Sequence, residues 1–228
     1  MTTPHILVVD DTIGNRYAVS RLLRGAGMRV SEADTGASAL RLVNEVPDLV
    51  VLDINLPDMT GYDVCRQIKA NPDTRSVPVM HLSASFTASS DLAYGLEAGA
   101  DAYLTHPLDP PVFLATARAL LRAARAEADS RRASVEWRTT FDAITDPIFL
   151  VGTGGTITRG NRAAATFLGV PEEQVAGQQW PAAASMLDAD ARNALIDAVR
   201  SPVRDVELQV QDRWYSLTSS HAGLEARG

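Results

Sequence analysis

One cysteine, Cys65, stands in 228 residues, so an intramolecular disulfide framework is excluded. No apolar run approaches the roughly 18 residues that a membrane-spanning helix needs. The opening stretch MTTPHILVVDD lacks the charged, then apolar, then small-residue pattern of a signal peptide. Excess positive charge is missing too: the net charge is -7, so bulk electrostatics gives no reason to expect nucleic acid as a partner. These absences lead us to expect a cytoplasmic protein that contacts neither membrane nor nucleic acid.

Charge is unevenly spread. Residues 1–110 carry a net -6, residues 111–140 a net +3 and residues 141–228 a net -4. A basic middle segment between two acidic stretches reads as a linker between domains.

Short apolar runs recur through the first stretch: HILVVD, MRVSEA, DLVVLDI, PVMHLS and DAYLT. Helical patterns lie between them. NRYAVSRLLRGAG places Tyr17, Leu22 and Leu23 on one face and ends at Gly25 and Gly27. TGASALRLVNEV runs up to Pro47, TGYDVCRQIKA stops at Asn71-Pro72, SSDLAYGLEAGA follows, and a fifth helix starts after Asp109-Pro110-Pro111. Strands alternate with helices, and the runs at 6–9 and 49–52 are apolar on both faces. That pattern predicts a doubly wound α/β fold: a five-stranded parallel sheet covered on both sides. Ligands of such sheets bind beyond the carboxyl ends of the strands.

Polar residues fall at those ends. Asp10 and Asp11 close the first strand, Asp53 the third and Ser83 the fourth, and His106 follows the fifth. Carboxylates gathered within a few ångströms repel and raise one another's pKa. An oxygen-seeking cation such as Mg2+ relieves that repulsion and keeps positions open for water and phosphate. Each residue has a plainer reading. Asp11 is also a candidate N-cap for the helix near Gly14, Asp53 a candidate turn former in DINLPDMTG, and Ser83 an ordinary satisfied hydroxyl.

The pieces ILVVDD, VLDINLPDMTGYDV, MHLSAS and GADAYLTHPLDP resemble the response-regulator receiver domain of the two-component phosphorelay family across residues 5–121. The resemblance implies a flavodoxin-like fold in which Asp53 accepts a phosphoryl group. It implies that Asp11, Asp53 and the Asn55 carbonyl bind Mg2+ directly, with Asp10 acting through a water. It implies that Ser83 hydrogen-bonds a phosphoryl oxygen, and that Tyr103 is an aromatic rotamer switch. The phosphodonor would be a histidine kinase or a phosphotransfer protein.

One position departs from the family. Where it normally has Lys before the Pro of the fifth loop, this chain has His106. A lysine there is a permanent cation, whereas an imidazole gains and loses its proton near neutrality. His106 therefore reads either as a weaker, pH-sensitive substitute, with transfer to Asp53 falling as pH rises, or as the mark of a receiver that acts only as an interaction module. The resemblance also makes His106-Pro107 a candidate cis bond.

From Pro111 to about Phe141 there is no Gly and no further Pro, and Ala, Leu, Arg and Glu dominate. A continuous helix of ~30 residues would span about 45 Å. Leu114, Leu121, Ala128 and Val135 fall seven apart with Ala117 and Ala124 between them, but Arg131 and Arg138 interrupt the seam. A parallel coiled-coil dimer through helix 111–140 and a lone helix with a solvated basic face are both open.

After Trp137, DPIFLVGTGGTITRGN reads as strand, Gly-rich turn, strand, and NRAAATFLGV as a short helix with Asn161 near its start. PEEQVAGQQW and the stretch through AVR suggest further short helices. VRDVELQVQ and RWYSLTSSHA read as an antiparallel pair around Gln211-Asp212. From about residue 141 the order of elements and FDAITDPIFLVGTGGTITRGNRAAATFLG resemble a PAS domain. Such domains sense small ligands or mediate dimer contacts. A flavin-type photosensor would need a cysteine in this half, and His221 is its only candidate haem ligand, so neither cofactor is expected; the ligand is unknown. A third central strand, normal for the family, does not follow RWYSLTSSHA, so the last strand is expected to be truncated. The expected organisation is a receiver at 1–122, a helical linker at 123–140 and an α+β PAS domain with an antiparallel sheet at 141–228.

Three other functions compete with a receiver signalling to a PAS domain. The histidines occur in PHIL, MHLS, THPL and SHAG, none in a kinase-like helix, so kinase activity would lie beyond residue 228 in a hybrid histidine kinase. A receiver-controlled phosphatase would also place its catalytic domain there. A haloacid-type phosphatase wants a second Asp two residues after the first, where Asn55 stands.

Overall fold

A computed structural model describes residues 3–83, 99–152 and 155–179, together with the backbone of 205–210 and 213–218. The fourth predicted helix, the helices expected between 180 and 200, the Gln211-Asp212 turn and His221 lie outside the described residues. The chain divides into two compact units, Met1–Arg132 and Ala133–Gly228.

The first unit is a five-stranded parallel sheet in the order β2-β1-β3-β4-β5. Its strands are β1 (His5–Val9), β2 (Arg29–Ala33), β3 (Leu49–Asp53), β4 (Val79–Ser83) and β5 (Ala102–Thr105). The described helices are α1 (Ile13–Gly25), α2 (Gly36–Leu42), α3 (Gly61–Ala70) and α4 (Pro110–Ala143). Strand side chains alternate between the faces. Leu7, Val9, Val50, Leu52 and Val79 pack toward Ala39 of α2 and Val64, Cys65 and Ile68 of α3. Ile6, Val8, Val51, Met80 and Leu82 pack toward Val19 and Leu23 of α1 and Phe113, Ala117 and Leu121 of α4. Each fully buried aliphatic side chain contributes roughly 1.5–3 kcal/mol. The doubly wound reading of the apolar runs therefore holds.

Several local expectations change. Tyr17 does not share the core face with Leu23: it is 61% exposed, while Val19 and Leu23, one turn apart, are buried. Six residues correspond to about 240° of rotation at 3.6 residues per turn, which carries Tyr17 away from the sheet. It lines a surface groove with Arg21, Leu22, Leu114 and Arg118. The second helix stops as an α-helix at Leu42 and tightens into a 3-10 turn over Val43–Glu45. Pro47 disfavours a helical residue before it, and Val46 turns out at φ 50°.

Within α4, Phe113, Ala117 and Leu121 are buried in the sheet's core. The first turns of the suspected seam thus serve the receiver. Residues 125–140 are exposed throughout.

In the second unit, β6 (Phe149–Val151) pairs antiparallel with β7 (Ile157–Gly160), and β8 (Asp205–Val210) with β9 (Arg213–Thr218). Helix α5 (Arg162–Leu168) follows β7. Asn161 organises this region. Its Oδ1 accepts from the N–H groups of Ala164 and Ile148, and its Nδ2 donates to the carbonyls of Ile144 and Asp146, at 2.9–3.1 Å. One amide thus caps α5 and ties down the chain that leaves α4. Trp137 stacks on Phe141 with centroids 4.5 Å apart, and the Arg159 guanidinium lies 4.3 Å over the Trp137 ring.

Candidate functional site

The site forms where β1 and β3 end side by side, since the parallel register pairs Val9 with Leu52. One carboxylate oxygen from each of Asp10, Asp11 and Asp53 lies within 4.8 Å of the others. Asp10 is buried. Its Oδ1 accepts the Thr12 N–H at 2.8 Å, and its Oδ2 has no hydrogen-bond partner among the described residues. Asp11 is exposed; its Oδ1 accepts from the Thr12 hydroxyl at 3.2 Å. Thr12, not Asp11, holds the N-cap position of α1. Arg16 reaches back from that helix to the Asp10 carbonyl oxygen at 2.6 Å.

Burial pushes the Asp53 carboxyl up to about 6, and the neighbouring Asp10 charge adds to the shift. The N–H groups of Ile54 and Asn55 act in the opposite direction. Asp10 is raised as well, by burial first, with Asp11 raising it further and the Thr12 N–H, His106 and the Asn15 side chain lowering it. Two carboxylates held above their ordinary range, with a third beside them, form a site that is short of positive charge. Hard divalent cations take oxygen ligands of this type, so the residues present fit Mg2+.

The loop after β3 is held in place by glycine. A Cβ at Gly61 would run into the Asp53 carbonyl oxygen, and the Gly61 N–H donates to the Ile54 carbonyl at 2.8 Å. Asn55 forms a backbone bridge with Thr60 in this loop. Thr60 caps α3 by accepting the Asp63 N–H. Asp58 accepts the N–H groups of Gly36 and Ala37 at 2.8 Å, and those two bonds hold its carboxyl below the usual range.

Ser83 is buried at the end of β4, opposite Thr105 of β5. The His106 N–H donates to the Ser83 carbonyl at 2.8 Å, and the His106-Pro107 peptide bond is cis. The Nε2 of His106 is buried without a partner among the described residues. Tyr103 is half-buried on β5 beside His81 of β4. His81 was not singled out from the sequence; its one signal was an imidazole inside the apolar run PVMHLS.

Residues 6–118 match the family described as response regulator receiver domain, and residues 136–214 match a PAS domain. The DNA-binding response regulator MtrA of Mycobacterium tuberculosis is 42% identical over 118 residues, 51% of this chain and 50% of that protein. The signal receiver domain of a signal transduction histidine kinase from Syntrophus aciditrophicus is 30% identical, with a TM-score of 0.50, over 53% of this chain and 92% of that one. A CheY-like receiver domain protein from Methanospirillum hungatei has a TM-score of 0.52 at 24% identity, over 55% of this chain and 99% of that one, and shares the fold. The chain belongs to the response-regulator receiver family, its receiver domain being followed by a PAS domain. It spans about half the length of the MtrA proteins it matches. The receiver homologues support a role in two-component phosphorelay signalling. No helix among the described residues is long and apolar enough to cross a membrane.

Proposed function

We propose that Asp53 is the phosphoacceptor of a two-component phosphorelay and that the receiver's state is passed through α4 to the PAS domain of a cytoplasmic protein. The single observation that carries this reading is the convergence of Asp10, Asp11 and Asp53 within 4.8 Å at adjacent strand ends. A carboxylate oxygen of Asp53 attacks the donor's phosphorus, and a new O–P bond forms as the bond to the donor's leaving group breaks. Asp10, Asp11, Asp53 and the Asn55 carbonyl are the groups that would hold Mg2+. When bound, that ion neutralises charge on the transferred oxygens. Ser83 and His106, joined through the Ser83 carbonyl, are the side chains that would meet a phosphoryl oxygen. Ser83 moving toward that oxygen frees space that Tyr103 occupies, a shift between two existing populations.

The donor is a histidine kinase or a phosphotransfer protein. The similar receiver from Syntrophus aciditrophicus is a domain of a signal transduction histidine kinase, which favours a hybrid kinase as the parent of this chain over a receiver-controlled phosphatase. The similarity to MtrA covers the receiver, and here a PAS match follows it, so DNA binding is not part of the reading. The exposed stretch 125–140 and the PAS domain are the surfaces for a homodimer, and the PAS ligand is a small molecule of unknown class.

Mass spectrometry after treatment with acetyl phosphate and Mg2+ tests the assignment. Wild type is expected to gain one phosphate and Asp53→Ala none. A wild type that stays unlabelled while His106→Lys is labelled would establish the competing reading, a receiver that acts only by contact.

A further inference from the structure

His81 is a buried ring that the phosphoacceptor chemistry does not use. It is 0% exposed, in a strand whose Val79, Met80 and Leu82 are apolar. Alternation along β4 puts its side chain on the face shared by Val79 and Ser83. In register it stands between Leu52 of β3 and Tyr103 of β5. Its ring meets Tyr62 of α3 edge-on, with centroids 5.2 Å apart and planes at 66°. It meets Tyr103 at 6.4 Å and 57°.

Nδ1 of His81 lies 3.3 Å from the Leu52 carbonyl oxygen. A carbonyl only accepts, so that nitrogen carries the proton and Nε2 presents a bare lone pair. Burial keeps the ring neutral, with its pKa pushed down to about 4. Nε2 is itself buried and has no hydrogen-bond partner among the described residues. A buried acceptor left without a donor is destabilising, and both rings beside it end in an O–H donor.

We propose that His81 is a positioning residue for the Tyr103 switch, its Nε2 accepting the Tyr103 hydroxyl in the state that follows phosphorylation of Asp53. Tyr62 is the nearer ring, but Tyr103 is His81's cross-strand neighbour and the side chain whose position the proposed switch changes. Ser83 lies two residues along the same strand face, so its displacement opens space beside both rings. The activated state thereby satisfies an acceptor that is unsatisfied here, which biases the switch without touching the phosphoryl group. This inference rests on the phosphoacceptor reading of Asp53.

The test uses the full chain with Mg2+ and beryllofluoride as the phosphoryl mimic, followed by nitrogen-15 NMR of the imidazoles. On binding, the His81 Nε2 resonance is expected to move from the position of a free lone pair to that of a hydrogen-bonded one. The change is expected to vanish in Tyr103→Phe and survive in Tyr62→Phe. His81→Met and Tyr103→Phe are each expected to weaken beryllofluoride binding about threefold to tenfold, the contribution of one net hydrogen bond. The double variant should be no weaker than either single.

An unmoved Nε2 resonance, a movement that persists in Tyr103→Phe because Tyr62 or a water donates, or additive losses would overturn the proposal while the wild type still binds. A wild type that does not bind beryllofluoride at all would instead overturn the phosphoacceptor reading and this inference with it. If His81→Met does not fold, the resonance in Tyr103→Phe decides.

Discussion

Asn161 in the second unit and Asp10 in the first are both buried polar side chains, 1% and 2% exposed, yet they are treated differently. Asn161 uses both ends of its amide in four hydrogen bonds to the backbone. Asp10 keeps one oxygen without a partner among the described residues, as do the Nε2 atoms of His81 and His106. The satisfied group is structural: it fixes where the chain goes after α4. These three atoms lie at strand ends or beside Tyr103, while a fourth, the Ser20 hydroxyl, is buried within α1. Buried polar atoms without partners are uncommon in folded proteins and call for an explanation. At Asp10, His106 and His81 the proposed ligand and second conformation would supply the missing partners, whereas Asn161 already finds its partners within the fold.

The three tryptophans, Trp137, Trp180 and Trp214, all belong to the second unit, so their fluorescence reports its unfolding separately. The largest effect is expected from Asn161→Ala. It removes an N-cap and strips partners from buried backbone groups, for about 3 kcal/mol or more. Urea titration should show the tryptophan transition shifting to lower denaturant while the receiver's transition holds. If both shift equally, the two units do not separate as described.

Nearly as large is the acid response of His81. Its pKa is lowered from 6.5 to about 4 by burial, so at this site the unfolded chain binds more protons between those values and the His81 contribution to stability rises with pH. That contribution is present above about 6.5 and lost as pH falls toward 4, roughly 3 kcal/mol in all, and the raised Asp53 carboxyl works in the opposite direction below about 6. His81→Met should therefore lose less stability than wild type on acidification from pH 6.5 to 4.

A somewhat smaller effect is expected from the metal. At a Mg2+ concentration a hundred times Kd the receiver should gain about 2.7 kcal/mol, with the tryptophan transition unmoved. Asp10→Asn should reduce that gain and, by removing repulsion, raise the metal-free midpoint. The smallest effect sharpens the same contrast. Cys65 is buried and its thiol is pushed up to about 11 by burial, so a maleimide at pH 8 should label native protein far more slowly than urea-unfolded protein. Rapid native labelling would mean that α3 opens readily.

Much of the receiver was legible because its signals are local. Apolar runs broken by Asp10, Asp53 and Ser83 announce both the strands and the ends at which they stop. The second unit's strand pairs and short helix were legible from turn residues and Asn161 at a cap position. Tyr17 was misplaced because a helix face depends on which neighbour covers it, and the apolar partner of α1 is β1 with α4. The role of Asp58 in holding Gly36 and Ala37 was not legible, because 22 and 21 residues separate the partners. The suspected heptad seam hid a different use: Ala117 and Leu121 recur at spacings that suit a partner helix and suit the receiver's own sheet equally well.

By itself, the sequence determined which segments are strands and helices, that the sheet is parallel and covered on both sides, and that acidic side chains stand at strand ends. Those properties follow from periodicity and from residue chemistry within a few positions. Only the tertiary structure decided which side chains meet. The register that sets Leu52, His81 and Tyr103 side by side, and the neighbouring of β1 with β3 that crowds three carboxylates, arise from pairing between residues far apart in the chain. Burial, and with it the raised carboxyl of Asp53 and the orphaned nitrogen of His81, is a property of the packed whole.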